Sequence, residues 1–102
     1  QDCAAECMHG VKHARDKKMD PHMIATMEAC HHQCLACATA VGHKTPRAWE
    51  ICETCEKICN DCAAMCEKSD DPHMKKCAQV CRDCAKAAAN CRARRRLRHF
   101  TL

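Results

Sequence analysis

The spacing of the cysteines limits what this chain can fold into more than any other feature. From Cys52 the thiols recur at Cys55, Cys59, Cys62 and Cys66, at intervals of 3, 4, 3 and 4. Alternating steps of three and four return to one side of an α-helix about every 3.5 residues, the repeat of the inward positions in a helical bundle. Two more stretches keep the same step: Met23, Met27, Cys30, Cys34, Cys37 and Val41, then Met74, Cys77, Cys81, Cys84, Ala88 and Cys91. Of these 17 inward positions 12 are cysteine and three more are methionine. Nearer the start, Cys3 and Cys7 open the same face ahead of Gly10, Val11 and Ala14. The predicted interior is lined with sulfur.

Composition agrees with helices. The 102 residues include no Tyr, one Trp, one Phe, two Gly and three Pro, which argues against a β-rich fold, a loop-rich scaffold or an aromatic pocket. Each proline follows a helix-capping residue: Asp20-Pro21, Thr45-Pro46 and Asp71-Pro72. A capping oxygen accepts an orphan backbone N–H, and proline at the first helical position has no N–H to lose. The expected helices are 2–18, 21–41, 46–68 and 72–97, with Gly42 stopping the second, in one domain over 1–102. Short connections make sequential helices antiparallel, so the expected fold is an all-α antiparallel four-helix bundle with a cysteine-lined core. Asp20-Pro21-His22-Met23 is repeated as Asp71-Pro72-His73-Met74, each ahead of a Cys-x3-Cys-x2-Cys run. The gaps before those runs differ by four residues, about one helical turn.

Several roles for the thiols compete. A buried free cysteine often serves as a small hydrophobe, but twelve such positions would underpack a core that normally uses leucine. A disulfide framework is countered by geometry, since residues three or four apart on a helix hold their Cβ atoms about 5–6 Å apart, whereas a disulfide wants about 3.8 Å. One helix face cannot surround zinc tetrahedrally, which leaves at most a zinc ion or two between helices, and no ferredoxin-type cysteine run is present. Soft thiolates select Cu(I), and two or three sulfurs suffice for it. When each thiolate bridges two ions, each Cu(I) replaces one thiol proton, so a loaded core is about as neutral as an empty one and escapes the cost of buried charge.

The stretch Pro46-x3-Glu50-Ile51-Cys52-x2-Cys55-x2-Ile58-Cys59-x2-Cys62-x3-Cys66, followed by Cys77-x3-Cys81-x2-Cys84-Ala85-x5-Cys91-Arg92, resembles the bacterial copper storage proteins. The resemblance implies a four-helix bundle whose core thiolates hold many Cu(I) ions, roughly one per cysteine, in a tetrameric homo-oligomer, with members both in the cytosol and exported. Two departures stand out: the first helix carries few cysteines, and Ala88 occupies a seam position. The metal ligands expected on this chain are Cys3, Cys7, Cys30, Cys34, Cys37, Cys52, Cys55, Cys59, Cys62, Cys66, Cys77, Cys81, Cys84 and Cys91.

An up-down-up-down bundle gathers His22, Met23, Met27, Met65, His73 and Met74 at one end, joined by His9 and His13. Thioether and imidazole bind copper more weakly than thiolate does, so these residues are the expected mouth through which ions reach the core. Val41, Trp49, Leu97 and Phe100 are the expected plug of the opposite end. The run of Arg92, Arg94, Arg95, Arg96 and Arg98 reads as positive charge complementing a helix C-terminus, without the aromatic context of nucleic-acid binding. No nucleophile paired with a base, phosphate loop or carboxylate pair stands out, so no enzymatic turnover is expected.

The formal net charge is +4, and no apolar run nears the roughly 18 residues of a membrane span. The expected partners are copper ions and a copper donor or acceptor protein, with no membrane and no nucleic acid. The cytoplasm is the expected location, with export as the alternative because the chain starts at Gln1. The competing functions are a copper-responsive regulator, which has only the basic tail behind it, and a zinc- or disulfide-stabilised helical domain. A thiol redox protein would need an exposed cysteine near an element start.

Overall fold

The computed structural model describes the backbone of residues 2–101 and the side chains of residues 3–91. Four helices account for it: α1 (Asp2–Asp16), α2 (Pro21–Gly42), α3 (Ala48–Glu67) and α4 (Pro72–Thr101). Each packs on its two neighbours, α1 on α2, α2 on α3, α3 on α4 and α4 back on α1, which closes an antiparallel bundle. The molecule measures 51 × 19 × 19 Å, a rod one bundle thick. No strand occurs among the described residues.

The seam is where the spacing puts it. Cys3, Cys7, Val11 and Ala14 of α1, Met27, Cys30 and Cys34 of α2, Cys55, Cys59, Cys62 and Cys66 of α3, and Met74, Cys77 and Cys81 of α4 are all buried in one core. Met27 and Met74 each stand three residues before the first cysteine of their run. The extra turn of α2 therefore leaves Met23 half-buried while both of these reach 0% exposure.

Both Asp-Pro signals act as caps. Asp20 Oδ1 accepts the His22 N–H at 2.9 Å and Asp71 Oδ1 accepts the His73 N–H at 2.8 Å, each following the rule that an N-cap oxygen takes the second or third helical donor. Thr45 does not cap α3. Its own N–H helps to end α2, donating to the Ala40 carbonyl at 3.1 Å; the chain then turns through Pro46, and α3 begins at Ala48 with Arg47 in the cap position and no side-chain cap. The Thr45 hydroxyl is left buried without a hydrogen bond.

α2 does end at Gly42, one residue later than expected, but Gly42 is not the left-handed residue of its stop. The left-handed residue is Lys44 (φ 52), whose N–H returns to the Val41 carbonyl. Lys18 (φ 54) closes α1 in the same way, with the Met19 N–H reaching the Ala14 carbonyl at 2.9 Å. Both ends have the Schellman pattern, in which a residue of positive φ satisfies the last carbonyls. Here lysine fills a place that glycine takes at lower cost. α1 is thus two residues shorter than expected, while α4 runs on past Leu97 to Thr101.

These backbone assignments make opposite predictions for neighbouring residues. Gly42 is helical with nothing within 4 Å of an added Cβ, so Gly42→Ala should stabilise the reduced protein by about 0.5–1 kcal/mol. Lys44→Gly should stabilise it by a similar amount through relief of the left-handed strain. Denaturant unfolding measures both, and a loss of stability in Gly42→Ala would return the left-handed turn to Gly42.

Candidate metal centre

All fourteen cysteines carry free thiols, eleven of them buried. Side by side along the axis, most of them form a connected sulfur network. The Sγ of Cys34 lies 3.3 Å from Cys3, 3.6 Å from Cys59 and 3.6 Å from Cys84. From Cys59 the contacts run to Cys30 at 3.8 Å, from Cys30 to Cys81 at 3.9 Å, and from Cys81 to Cys7 at 3.8 Å. Such separations suit sulfurs in contact or sharing an ion, and are far from the roughly 2.05 Å of a disulfide bond.

Three groups of four thiols have Sγ atoms all within 4.8 Å of one another: Cys3, Cys34, Cys59 and Cys84; Cys3, Cys7, Cys30 and Cys81; and Cys7, Cys62, Cys77 and Cys81. The first takes one thiol from each helix. Tertiary packing thereby supplies what a single helix face cannot, a set of soft ligands arranged around a point. The groups also share corners, Cys3 between the first two and Cys7 with Cys81 between the last two. Closed tetrahedral zinc sites each want four thiolates of their own, whereas shared corners suit bridging thiolates and ions of low coordination number.

The protons in this network are unevenly held. Cys3 and Cys62 are pulled far below the ordinary thiol range by neighbouring S–H groups, Cys30 foremost in each case. Next to them Cys7, Cys30, Cys59 and Cys81 are held above that range, with Cys3 the largest influence on all four. For Cys77 the upward pull of Cys62 is outweighed by Cys66, Cys7 and Cys81, leaving its pKa at about 5. For Cys55 the upward pull of Cys34 is outweighed by Cys37, Cys59 and Cys84, again to about 5. Cys84 is pushed up to about 12, chiefly by Cys3. Each four-thiol group therefore holds at least one sulfur poised as thiolate, the metal-binding form.

At the end where α2 and α4 begin, the expected mouth residues separate into layers. Met27 and Met74 are fully buried over the thiols: a Cβ on Gly10 would stand 3.0 Å from Met27 Sδ, 3.6 Å from Cys77 Sγ and 3.6 Å from Met74 Cε. Glycine at that position lets the two thioethers approach α1. Met23 and Met65 are half-buried against the core, and His22 is exposed. His73 turns towards α1, its ring stacked on His13 at 4.8 Å with its Nε2 3.6 Å from Glu6 Oε1. His13 Nε2 meets Asp71 Oδ2 at 2.7 Å, and this contact, with the His73 N–H behind it, holds the Asp71 carboxyl below the usual range.

Glu6 is the residue that sequence reasoning missed. It is only 9% exposed, with His73 on one oxygen and Lys76 Nζ 3.7 Å from the other. Its place three residues after Cys3 and directly before Cys7 puts it on the flank of the seam, which was the available signal.

At the opposite end only part of the expected plug is described. Val41 is 39% exposed and Trp49 is half-buried, while the side chains of Leu97 and Phe100 lie outside the described residues. Cys3 of α1 stands level with Cys34 and Cys59. Beyond that level a groove of about 320 Å³ opens between α2 and α4, lined by Cys34, Cys37, Val41, Cys55, Cys84 and Cys91. Cys37, Cys84 and Cys91 are the three thiols that are not fully buried, and the Cys37 Sγ lies 3.4 Å from that of Cys52.

Known proteins with this arrangement point one way. Residues 1–94 match the family model of copper storage protein (Csp). A solved structure described as Cu(I)-bound copper storage protein BsCsp3 superimposes with a TM-score of 0.83 at 27% identity, covering 87% of each chain. An uncharacterised cysteine-rich protein of Bacillus subtilis (strain 168), YhjQ, is 30% identical over 81 residues, 76% of this chain and 75% of its own. With a sulfur-lined four-helix core and a match spanning nearly its whole length, the chain belongs to the copper storage protein family.

Proposed function

We propose that this protein stores Cu(I) in bulk, without catalytic turnover, and that all fourteen cysteines are its ligands. The observation that carries this reading is the set of three four-thiol groups joined through shared corners. A regulator needs one or two ions to change its state and a surface to report them, whereas a continuous sulfur network reaching three groups fits cargo. Cu(I) is the expected cargo because soft, low-coordinate ions accept bridging thiolates.

Loading replaces protons. The first Cu(I) in each group meets the sulfur whose neighbours most favour loss of its proton, Cys3, Cys62 or Cys77. Later ions displace protons from Cys7, Cys30, Cys59 and Cys81, whose thiols hold them more firmly. With bridging ligation, one proton leaves for each ion, so the buried core gains little net charge. The His22, Met23, Met65 and His73 layer, followed by Met27 and Met74, forms the proposed uptake path, in which each ligand set binds more tightly than the last.

Anaerobic titration of the reduced chain with Cu(I) against a chromogenic chelator should end at roughly one ion per cysteine, on the order of 14 per chain. A plateau at one or two ions would sink storage and favour a regulatory or zinc role. The corner residues sharpen the count. Cys3→Ala removes a ligand from two groups and should lower capacity by about two ions, while Cys91→Ala, at the groove edge, should cost one at most; equal losses would contradict shared corners. Because the assembled thiol groups bind copper more tightly than the scattered thiols of the unfolded chain, loading should also raise the thermal midpoint, as scanning calorimetry under argon would record.

A further inference from the structure

We propose that the groove between α2 and α4 is a release port, where a small anionic thiol withdraws Cu(I) from the store; this rests on the storage reading above. Copper passes between thiolates by direct attack of the incoming sulfur on the bound ion. Withdrawal must therefore begin where protein-bound copper can be touched. Eleven thiols are buried, and the three half-buried ones, Cys37, Cys84 and Cys91, all line this groove. The other end is closed to an incoming thiol by Met27 and Met74 at 0% exposure.

The groove connects to the whole store. Cys84 touches Cys34 at 3.6 Å, and Cys34 touches Cys3 and Cys59, the entrance to all three four-thiol groups. Once the ions at Cys84 and Cys37 have left, those behind step outward between sulfurs in contact, more slowly than the first are withdrawn, so the rim thiols empty first. At about 320 Å³ the groove lies at the small end of the roughly 300–1,000 Å³ usual for small-ligand clefts, enough for a peptide-sized thiol and too small for a protein domain. The charge follows from the sequence. α4 continues past Cys91 through residues 92–101, a stretch with five arginines, at 92, 94, 95, 96 and 98, and no acidic residue. Such a segment attracts an anionic visitor.

In each transfer one bond between copper and a protein sulfur breaks and one between copper and the incoming sulfur forms. The incoming thiol's proton passes to the protein thiolate set free, and copper stays Cu(I) throughout. Two ports then divide the traffic, with uptake through the histidine and methionine layer and release through the groove.

The test uses the copper-loaded full chain, kept anaerobic, with reduced glutathione as the anionic thiol and 2-mercaptoethanol as a neutral one. After the first few ions have left, the freed cysteines are alkylated with iodoacetamide and mapped by peptide mass spectrometry. Label on Cys37, Cys84, Cys91 and Cys55 is expected, and label appearing first on Cys66 and Cys77 would overturn the port. The double variant Ala38→Trp, Ala87→Phe fills the groove without touching a ligand; it should hold as much copper as the parent yet lose it to glutathione roughly tenfold more slowly. An equal rate would overturn the proposal. Should that variant fold poorly, the labelling order in the parent chain decides alone. Replacing Arg94, Arg95 and Arg96 by Gln should slow withdrawal by glutathione several-fold and leave 2-mercaptoethanol unaffected, and the same rate with glutathione would contradict an anionic partner. A chain that takes up no Cu(I) sinks storage itself, whereas one that loads but empties from Cys66 and Cys77 keeps storage and loses only the port.

Discussion

Sulfur against sulfur in the seam is the contact on which the rest of this structure depends. A thiol is smaller than the leucine that usually fills such positions, so four helices lined with cysteine draw together until Sγ atoms stand 3.3–3.9 Å apart across the axis. At that spacing neighbouring S–H groups favour the thiolate at positions such as Cys3 and Cys62 and the protonated thiol at others such as Cys30 and Cys59. The same closeness makes any ion that enters common property of several helices. A core of this kind is stable enough to fold as a bundle and soft enough to take metal in place of hydrogen, and both properties come from one side chain.

The ends of the rod break its symmetry. Where α2 and α4 begin, caps, ion pairs and a stacked histidine pair tie α1 to α4, with two thioethers sealing the thiols beneath. Where α2 ends, three half-buried thiols line a groove. Glu6, held between His73 and Lys76, belongs to the first region and shows how far burial was traded for docking of α1. A buried carboxylate is costly unless it is paired; Lys76 of α4 lies 3.7 Å from one of its oxygens, while the other, 3.6 Å from His73 Nε2, makes no hydrogen bond.

Much of this was legible in the order of residues. The 3,4 spacing gave the bundle and the inward face of every helix, and the Asp-Pro pairs gave the starts of α2 and α4, because both signals act within a turn or two of chain. The expectations that failed depend on what the chain does elsewhere. Thr45 does not cap α3 because the helix starts at Ala48, which puts Arg47 in the cap position, and the left-handed turn fell on Lys44 because the hydrogen bonds of the α2 terminus, and not the location of a glycine, decide where that turn lies. Of the plug read from Val41, Trp49, Leu97 and Phe100, the two described side chains stay partly exposed and Val41 lines a groove, because coverage depends on how neighbouring helices pack and not on periodicity.

The sequence by itself determined a sulfur-lined four-helix bundle and the soft metal chemistry that such a lining favours, since periodicity and ligand type are properties of single helices. Only the tertiary structure decided which thiols meet. The grouping of Cys3 with Cys34, Cys59 and Cys84, one from each helix, depends on the relative height of four helices along the axis. The same relative heights expose Cys37, Cys84 and Cys91 and bury the rest. Axial register is fixed by loop lengths, caps and packing acting together, and no single stretch of sequence contains it.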